Sequence, residues 1–159
     1  MRTNLKSNMR NSPGTYALIL KSSSDRRIEI GRLGKCLIQP GYYVYTGSAF
    51  GPGGLKARIA HHAGISQRPH WHIDYLRSVL RLNEVWYTVD AKPYEHRWAE
   101  TMSALKGANL PIIGFGASDC SCTSHLFSFA DRPSIRSFRR RLYTQIRAHG
   151  SILQHKLPR

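Results

Sequence analysis

Two tripeptides, Gly14-Thr15-Tyr16 and Tyr45-Thr46-Gly47, each set a tyrosine close to a glycine, the first opening an apolar run and the second closing one. Aromatic side chains in strands ordinarily fill space. A phenol titrates near 10, so it serves as a base only where nearby cations favour its phenolate. Further along, Leu55-Lys56-Ala57-Arg58-Ile59-Ala60-His61-His62 places Arg58 and His62 four residues apart, on one face of a helix. A guanidinium fork can grip a non-bridging phosphate oxygen, and an imidazole can shuttle a proton. Glu95 follows Tyr94 in the first turns of a later helix, where a carboxylate is also stabilised by the helix dipole.

The elements that must position these side chains follow from pattern. Tyr16 to Lys21 reads as a first strand after the Pro13-Gly14 turn signal. Arg27 to Ile30 reads as a second, with Gly31 and Gly34 marking a turn, and Tyr42 to Tyr45 as a third after Pro40-Gly41. Connections this short require antiparallel pairing, because a parallel pair needs a long crossover. Leu55 to His62 is helical and ends near Gly64, and apolar residues at 71, 73, 76, 79 and 80 give His70 to Leu80 a helical period. Glu84 to Val89 reads as a strand, Pro93 to Leu105 as a helix closed by Gly107, and Gly114 to Ser124 as a loop. His125 to Phe129 makes a short strand and Ser134 to Ile146 a last helix. The fold class is therefore α/β in the broad sense (α+β), with a small, mainly antiparallel sheet and helices packed on it. Residues 1–12 are expected as a flexible basic arm, 13–148 as one domain, and 149–159 as a flexible tail.

Twenty-four Lys and Arg against nine Asp and Glu give a formal charge of +15, which points to a polyanionic partner, nucleic acid first. Hydrophobic residues at 41% argue against disorder. No apolar window approaches the roughly 18 residues of a membrane span, and the N-terminal stretch does not read as a secretory signal. The expectation is a cytoplasmic, nucleoid-associated protein with no membrane and no obligate protein partner. Cys36, Cys120 and Cys122 are odd in number, as suits reduced thiols. A zinc site of Cys120, Cys122 and His125 lacks the usual Cys-x-x-Cys spacing.

Taken in order, Tyr16, Tyr45, Arg58, His62 and Glu95, with the stretches GTYALIL, GYYVYTGSA, WHIDYL and GFGASDCSCTSHLF, resemble the GIY-YIG nuclease superfamily, and within it the stand-alone Uri-type endonucleases. The resemblance covers about residues 13–130. It implies a three-stranded antiparallel sheet flanked by helices, with the site on the sheet surface. It implies one divalent cation, Mg2+ or Mn2+, held by Glu95 and completed by water and phosphate oxygens, as magnesium favours. Arg58 matches the phosphate-gripping arginine, Tyr16 or Tyr45 the residue that activates water, and His62 a position that can carry a proton. The implied activity is endonucleolytic hydrolysis of DNA, and the alternative is an inactive binding module on the same fold. The natural substrate and the pathway (repair among others) stay open.

Some positions depart from the family pattern. Ser48-Ala49 stands where some relatives carry a lysine, leaving Lys56 to supply that cation. Glu100 is the fallback ligand. Within Trp71-His72-Ile73-Asp74, either His72 or His70 can join the site, and Asp119 and His125 are further candidates for the cleft. Arg136, Arg139 and Arg140, with Arg141 and Arg147, line the last helix as phosphate-positioning groups rather than readers of sequence.

Overall fold

The structure, a computed structural model, describes residues 9–116 and 123–157. Its elements are β1 (Thr15–Ser22), β2 (Arg26–Glu29), β3 (Lys35–Ile38), β4 (Gly41–Ser48), α1 (Gly54–Ala63), α2 (His72–Arg77), β5 (Arg81–Thr88), α3 (Glu95–Ser103), β6 (Leu126–Phe129), α4 (Ile135–Gln145) and β7 (Leu153–Lys156). Five strands form one antiparallel sheet in the order β6-β4-β1-β5-β7, and β2 pairs with β3 in a separate hairpin. The α+β class and the antiparallel sheet are as expected. The strand count is not: β4-β1-β5 is the centre, and short strands extend it on both sides.

The central strand explains the layering. Tyr16, Leu18 and Leu20 point into one cluster with Leu55, Ile59, Ile73 and Leu76. Ala17 and Ile19 point the other way, among Trp86, Trp98, Phe138 and Leu142. Side chains alternate along a strand, so α1 and α2 cover one face of the sheet while α3 and α4 cover the other. A strand buried on both faces reads as an unbroken apolar run, as TYALIL does.

Residues 9–12 and 149–157 are held more firmly than their composition predicts. Met9 is fully buried, and the carbonyls of Arg10 and Ser12 accept the Lys56 and Leu55 N–H groups at 3.0 and 2.9 Å. These bonds satisfy donors in the first turn of α1 that would otherwise lack partners. The expected arm is thus docked at residues 9–12, and residues 1–8 lie outside the described residues. The expected tail 149–159 supplies β7, paired with β5 from Tyr87↔Leu153 to Glu84↔Lys156. Pattern alone misses β7 because LQHK is short and polar, and its stability comes from the β5 backbone and two side-chain clamps. Gln154 Nε2 donates to Glu84 Oε2 at 2.7 Å, and Arg139 donates through Nε and Nη2 to the Ile152 carbonyl. Glu84 is buried and also accepts from Trp86 Nε1 and Arg132 Nη2, which offsets the cost of burying its charge. Among the described residues, no helix is long and apolar enough to cross a membrane.

Candidate active site

The register of β1 on β4 explains the paired tripeptides. Tyr16 lies opposite Gly47 and Leu18 opposite Tyr45. Cross-strand partners share a face, as do residues two apart, so Tyr16 and Tyr45 project from the same side. A Cβ on Gly47 would sit 2.6 Å from Cζ and Oη of Tyr16, and one on Gly14 would sit 2.1 Å from the Thr88 carbonyl oxygen. The glycines are therefore where the tyrosine ring and a neighbouring strand come closest.

Helix α1 brings Arg58 and His62 onto that side. His62 Nε2 is 2.7 Å from Tyr16 Oη, with both groups buried, and His62 Nδ1 has no hydrogen-bond partner among the described residues. The Arg58 guanidinium lies over the Trp71 ring, 4.4 Å from its centroid, close enough for a cation–π attraction. The first residue of α3 is Glu95. Its Oε2 accepts from Ser48 Oγ at 3.3 Å, and its Oε1 is 3.7 Å from Nδ1 of the buried His125. Tyr16, Tyr45, Arg58, His62 and Glu95 line one cleft of about 320 Å³. Ser48, Phe50, Trp71, His96 and His125 complete most of its wall.

Burial dominates the electrostatics. It raises the Tyr45 phenol above its ordinary value, with Glu95 adding to the rise and Arg58 opposing it. It raises Tyr16 still more clearly, and Tyr45 and Arg58 act on it in those same opposed senses. It pushes His62 down to about 3, with neighbouring His61 adding to the effect. Burial also lowers His125, although Glu95 pulls it the other way. Tyr16, Tyr45, His62 and His125 are neutral near pH 7, arranged around the Arg58 guanidinium and the Glu95 carboxylate.

The His62 shift has a consequence for stability. Unfolded, the imidazole titrates near 6.5, and folded it must stay neutral down to about pH 3. The unfolded state then binds the extra proton, so this contribution is complete above about pH 6.5 and is lost as pH falls from there toward 3. The limiting slope is about 1.4 kcal/mol per pH unit. Urea midpoints of wild type should therefore fall more steeply over that window than those of His62→Gln. Parallel curves would refute the assignment.

Comparison with known proteins gives one match: a family described as a domain of unknown function, DUF123, over residues 15–148. The chain belongs to that family. No curated protein and no solved structure matches it. The DUF123 match runs from the first residue of β1 to beyond α4, so every cleft residue falls inside it.

Most of the remaining sequence candidates of this DUF123 domain lie elsewhere. His72 does not line the cleft; its Nδ1 accepts the Gly116 N–H at 2.8 Å and its ring packs 5.5 Å from Phe115. It thereby holds the turn whose last glycine, Gly116, sits at the cleft wall. Lys56 is exposed and is not part of the cleft wall. Glu100 points to solvent, 4.0 Å from Arg97. On α4, Arg136 and Arg140 are exposed, whereas the fork of Arg139 is occupied by the Ile152 carbonyl. Arg140 and Arg141 line a separate groove of about 910 Å³ between the end of α3 and α4. Asp119, Cys120 and Cys122 lie outside the described residues. His125, a candidate from sequence, does face the cleft. Trp71, Ser48 and His96 were not expected there. For Trp71 the available signal was its place beside His70 and His72, and for Ser48 its place directly after the second tripeptide.

Proposed function

We propose that this DUF123 domain is a GIY-YIG-type, metal-dependent endonuclease that hydrolyses nucleic-acid phosphodiesters, DNA first. One observation carries the reading: Tyr16, Tyr45, Arg58, His62 and Glu95, drawn from β1, β4, α1 and α3, meet in one cleft. The excess positive charge supports a polyanionic substrate.

Glu95 fits a single hard cation. Its carboxylate is about one-quarter exposed at the cleft, with long contacts to Ser48 and His125 that a metal–oxygen bond can replace. Mg2+ or Mn2+ suits one carboxylate with several waters, and when bound it supplies Lewis-acid polarisation of a phosphoryl oxygen. The chain's own groups divide the rest. Arg58, held over the Trp71 ring, grips a non-bridging oxygen and neutralises charge that develops there. Tyr45, facing the cleft, orients the attacking water, and it would take that water's proton only as the phenolate that a bound cation and Arg58 favour. Tyr16 and His62 share one proton across their 2.7 Å contact and keep the cleft floor rigid. Burial of both phenols opposes a base role, and this favours, as the second reading, a module that binds nucleic acid without cutting it.

The test is incubation of supercoiled plasmid and labelled single-stranded oligonucleotide with the protein in Mg2+ or Mn2+, against EDTA. Cation-dependent cutting supports the enzyme. Tight binding with no cutting under either cation supports the second reading. The exposed arginines of α4 give a separate expectation. Neutralising Arg136, Arg140 and Arg141 together should weaken DNA binding and flatten its log–log salt slope by about 0.9 per lost phosphate contact. An unchanged slope removes α4 from the footprint.

A further inference from the structure

Beside the cleft, the end of α1 and the first turn of α2 bring His61, His62 and Asp74 together. A ring nitrogen of each histidine and a carboxylate oxygen of Asp74 lie within 4.8 Å of one another. Two of the three are already anchored through their other polar atom. Asp74 is buried, and its Oδ2 accepts the backbone N–H groups of His70 and Trp71 at 2.9 and 3.0 Å. That leaves Oδ1 2.8 Å from His61 Nε2. His62, 2% exposed, is tied through Nε2 to Tyr16, while its buried Nδ1 has no partner among the described residues. An imidazole fixed through one nitrogen and offering the other, beside a carboxylate fixed the same way, is how proteins orient metal ligands.

We propose that His61, His62 and Asp74 form a binding site for a borderline divalent ion of the zinc class, distinct from the hard-cation position at Glu95. Two imidazoles and a carboxylate suit zinc and its chemical neighbours, and three protein ligands leave one position for water or a phosphate oxygen. Magnesium prefers oxygen ligands and is excluded on that ground. Ligand atoms at about 2.0–2.2 Å from a tetrahedral ion stand about 3.3 Å apart. His61 Nε2 and Asp74 Oδ1 must therefore separate by about half an ångström, which the 38% exposed His61 side chain can supply. Arg58 and Arg77 also act on His62 and oppose a cation, so binding depends on direct bonds rather than on the local field. An ion on Nδ1 would fix the His62 proton on Nε2, facing Tyr16 Oη. That links metal occupancy to the cleft.

Titrating the full chain, with its cysteines reduced, with Co2+ by absorption spectroscopy and with ZnCl2 by calorimetry tests this. One equivalent should bind with a visible d–d band and without the near-ultraviolet charge-transfer band of a thiolate. His61→Ala and Asp74→Asn should each weaken uptake by about 10- to 100-fold or more, while Glu95→Gln binds as wild type and excess Mg2+ does not compete. His61→Ala alters an exposed side chain, and an unchanged melting temperature will show that it stays folded. No uptake, a thiolate band, uptake unaffected by His61→Ala, or uptake lost in Glu95→Gln would each overturn the proposal. The proposal needs metal uptake alone and stands whether or not the protein cuts DNA.

Discussion

Replacing Glu95 with alanine is expected to slow Mg2+-dependent plasmid cleavage by about a thousandfold, roughly 4 kcal/mol of transition-state stabilisation. Binding to uncut DNA should change little. On the proposed reading Glu95 is the cation's one carboxylate among the described residues of the cleft: the other wall groups named above are phenols, imidazoles, a hydroxyl, a phenyl ring, a guanidinium and an indole. The loss should not come from unfolding. The two contacts of Glu95, at 3.3 and 3.7 Å, are long for hydrogen bonds and contribute little to stability. Far-ultraviolet circular dichroism and the melting temperature should match wild type. Glu100→Ala is the control, because that carboxylate is 72% exposed and lies outside the cleft; it should cut normally. Cleavage by Glu95→Ala above about one-tenth of wild type would remove Glu95 from the role of sole ligand. Equal losses in both variants would point to a non-specific charge effect.

What pattern could reveal and what it could not divide along physical lines. Arg58 and His62 were legible as neighbours from a four-residue step on α1, whereas Tyr16 and Tyr45 joined them through the family resemblance. That the two tyrosines share a side follows from the β1–β4 register. The company of Glu95 was legible only in part: His125 was a candidate for the cleft, but its contact with Glu95 was not. Ser48 reaches it from the end of β4 and His125 from just ahead of β6, and no local signal reports a contact across 47 or 30 positions. The strands β3 and β7 were hidden for another reason. KCLI and LQHK are only four residues long, too short for a period to show, and LQHK is mostly polar. Arg139 looks like the other arginines of α4 until the Ile152 carbonyl is placed within its reach. Asp74 likewise reads as an ordinary helical acid, although it accepts two backbone N–H groups ahead of α2 and one histidine of α1. Helix α2 consequently starts later than the apolar period over 70–80 suggests, because its first turn begins where Asp74 captures those donors.

The substitution expected to disturb the architecture of the site most is Gly47→Ala, a change of one methyl group. The added Cβ would lie 2.6 Å from Cζ and Oη of Tyr16 and 3.0 Å from its Cε2. A surface tyrosine would swing aside cheaply, but this ring is 1% exposed and its hydroxyl is bonded to the buried His62. Relief requires the ring to shift by about an ångström, enough to break the 2.7 Å contact. Overpacking of this kind costs about 2 kcal/mol, which for a chain of this size lowers Tm by roughly 4–8 °C. A displacement of about 1 Å in catalytic machinery can cost about a hundredfold in rate, so cleavage should fall by that order. A double-mutant cycle separates the clash from any loss of glycine backbone freedom. In a Tyr16→Ala background the space is already empty, and adding Gly47→Ala should leave the urea midpoint unchanged. If the penalty persists there, the glycine serves the β1–β4 backbone rather than the ring. If Gly47→Ala alone melts and cuts like wild type, Tyr16 does not lie against that strand as described.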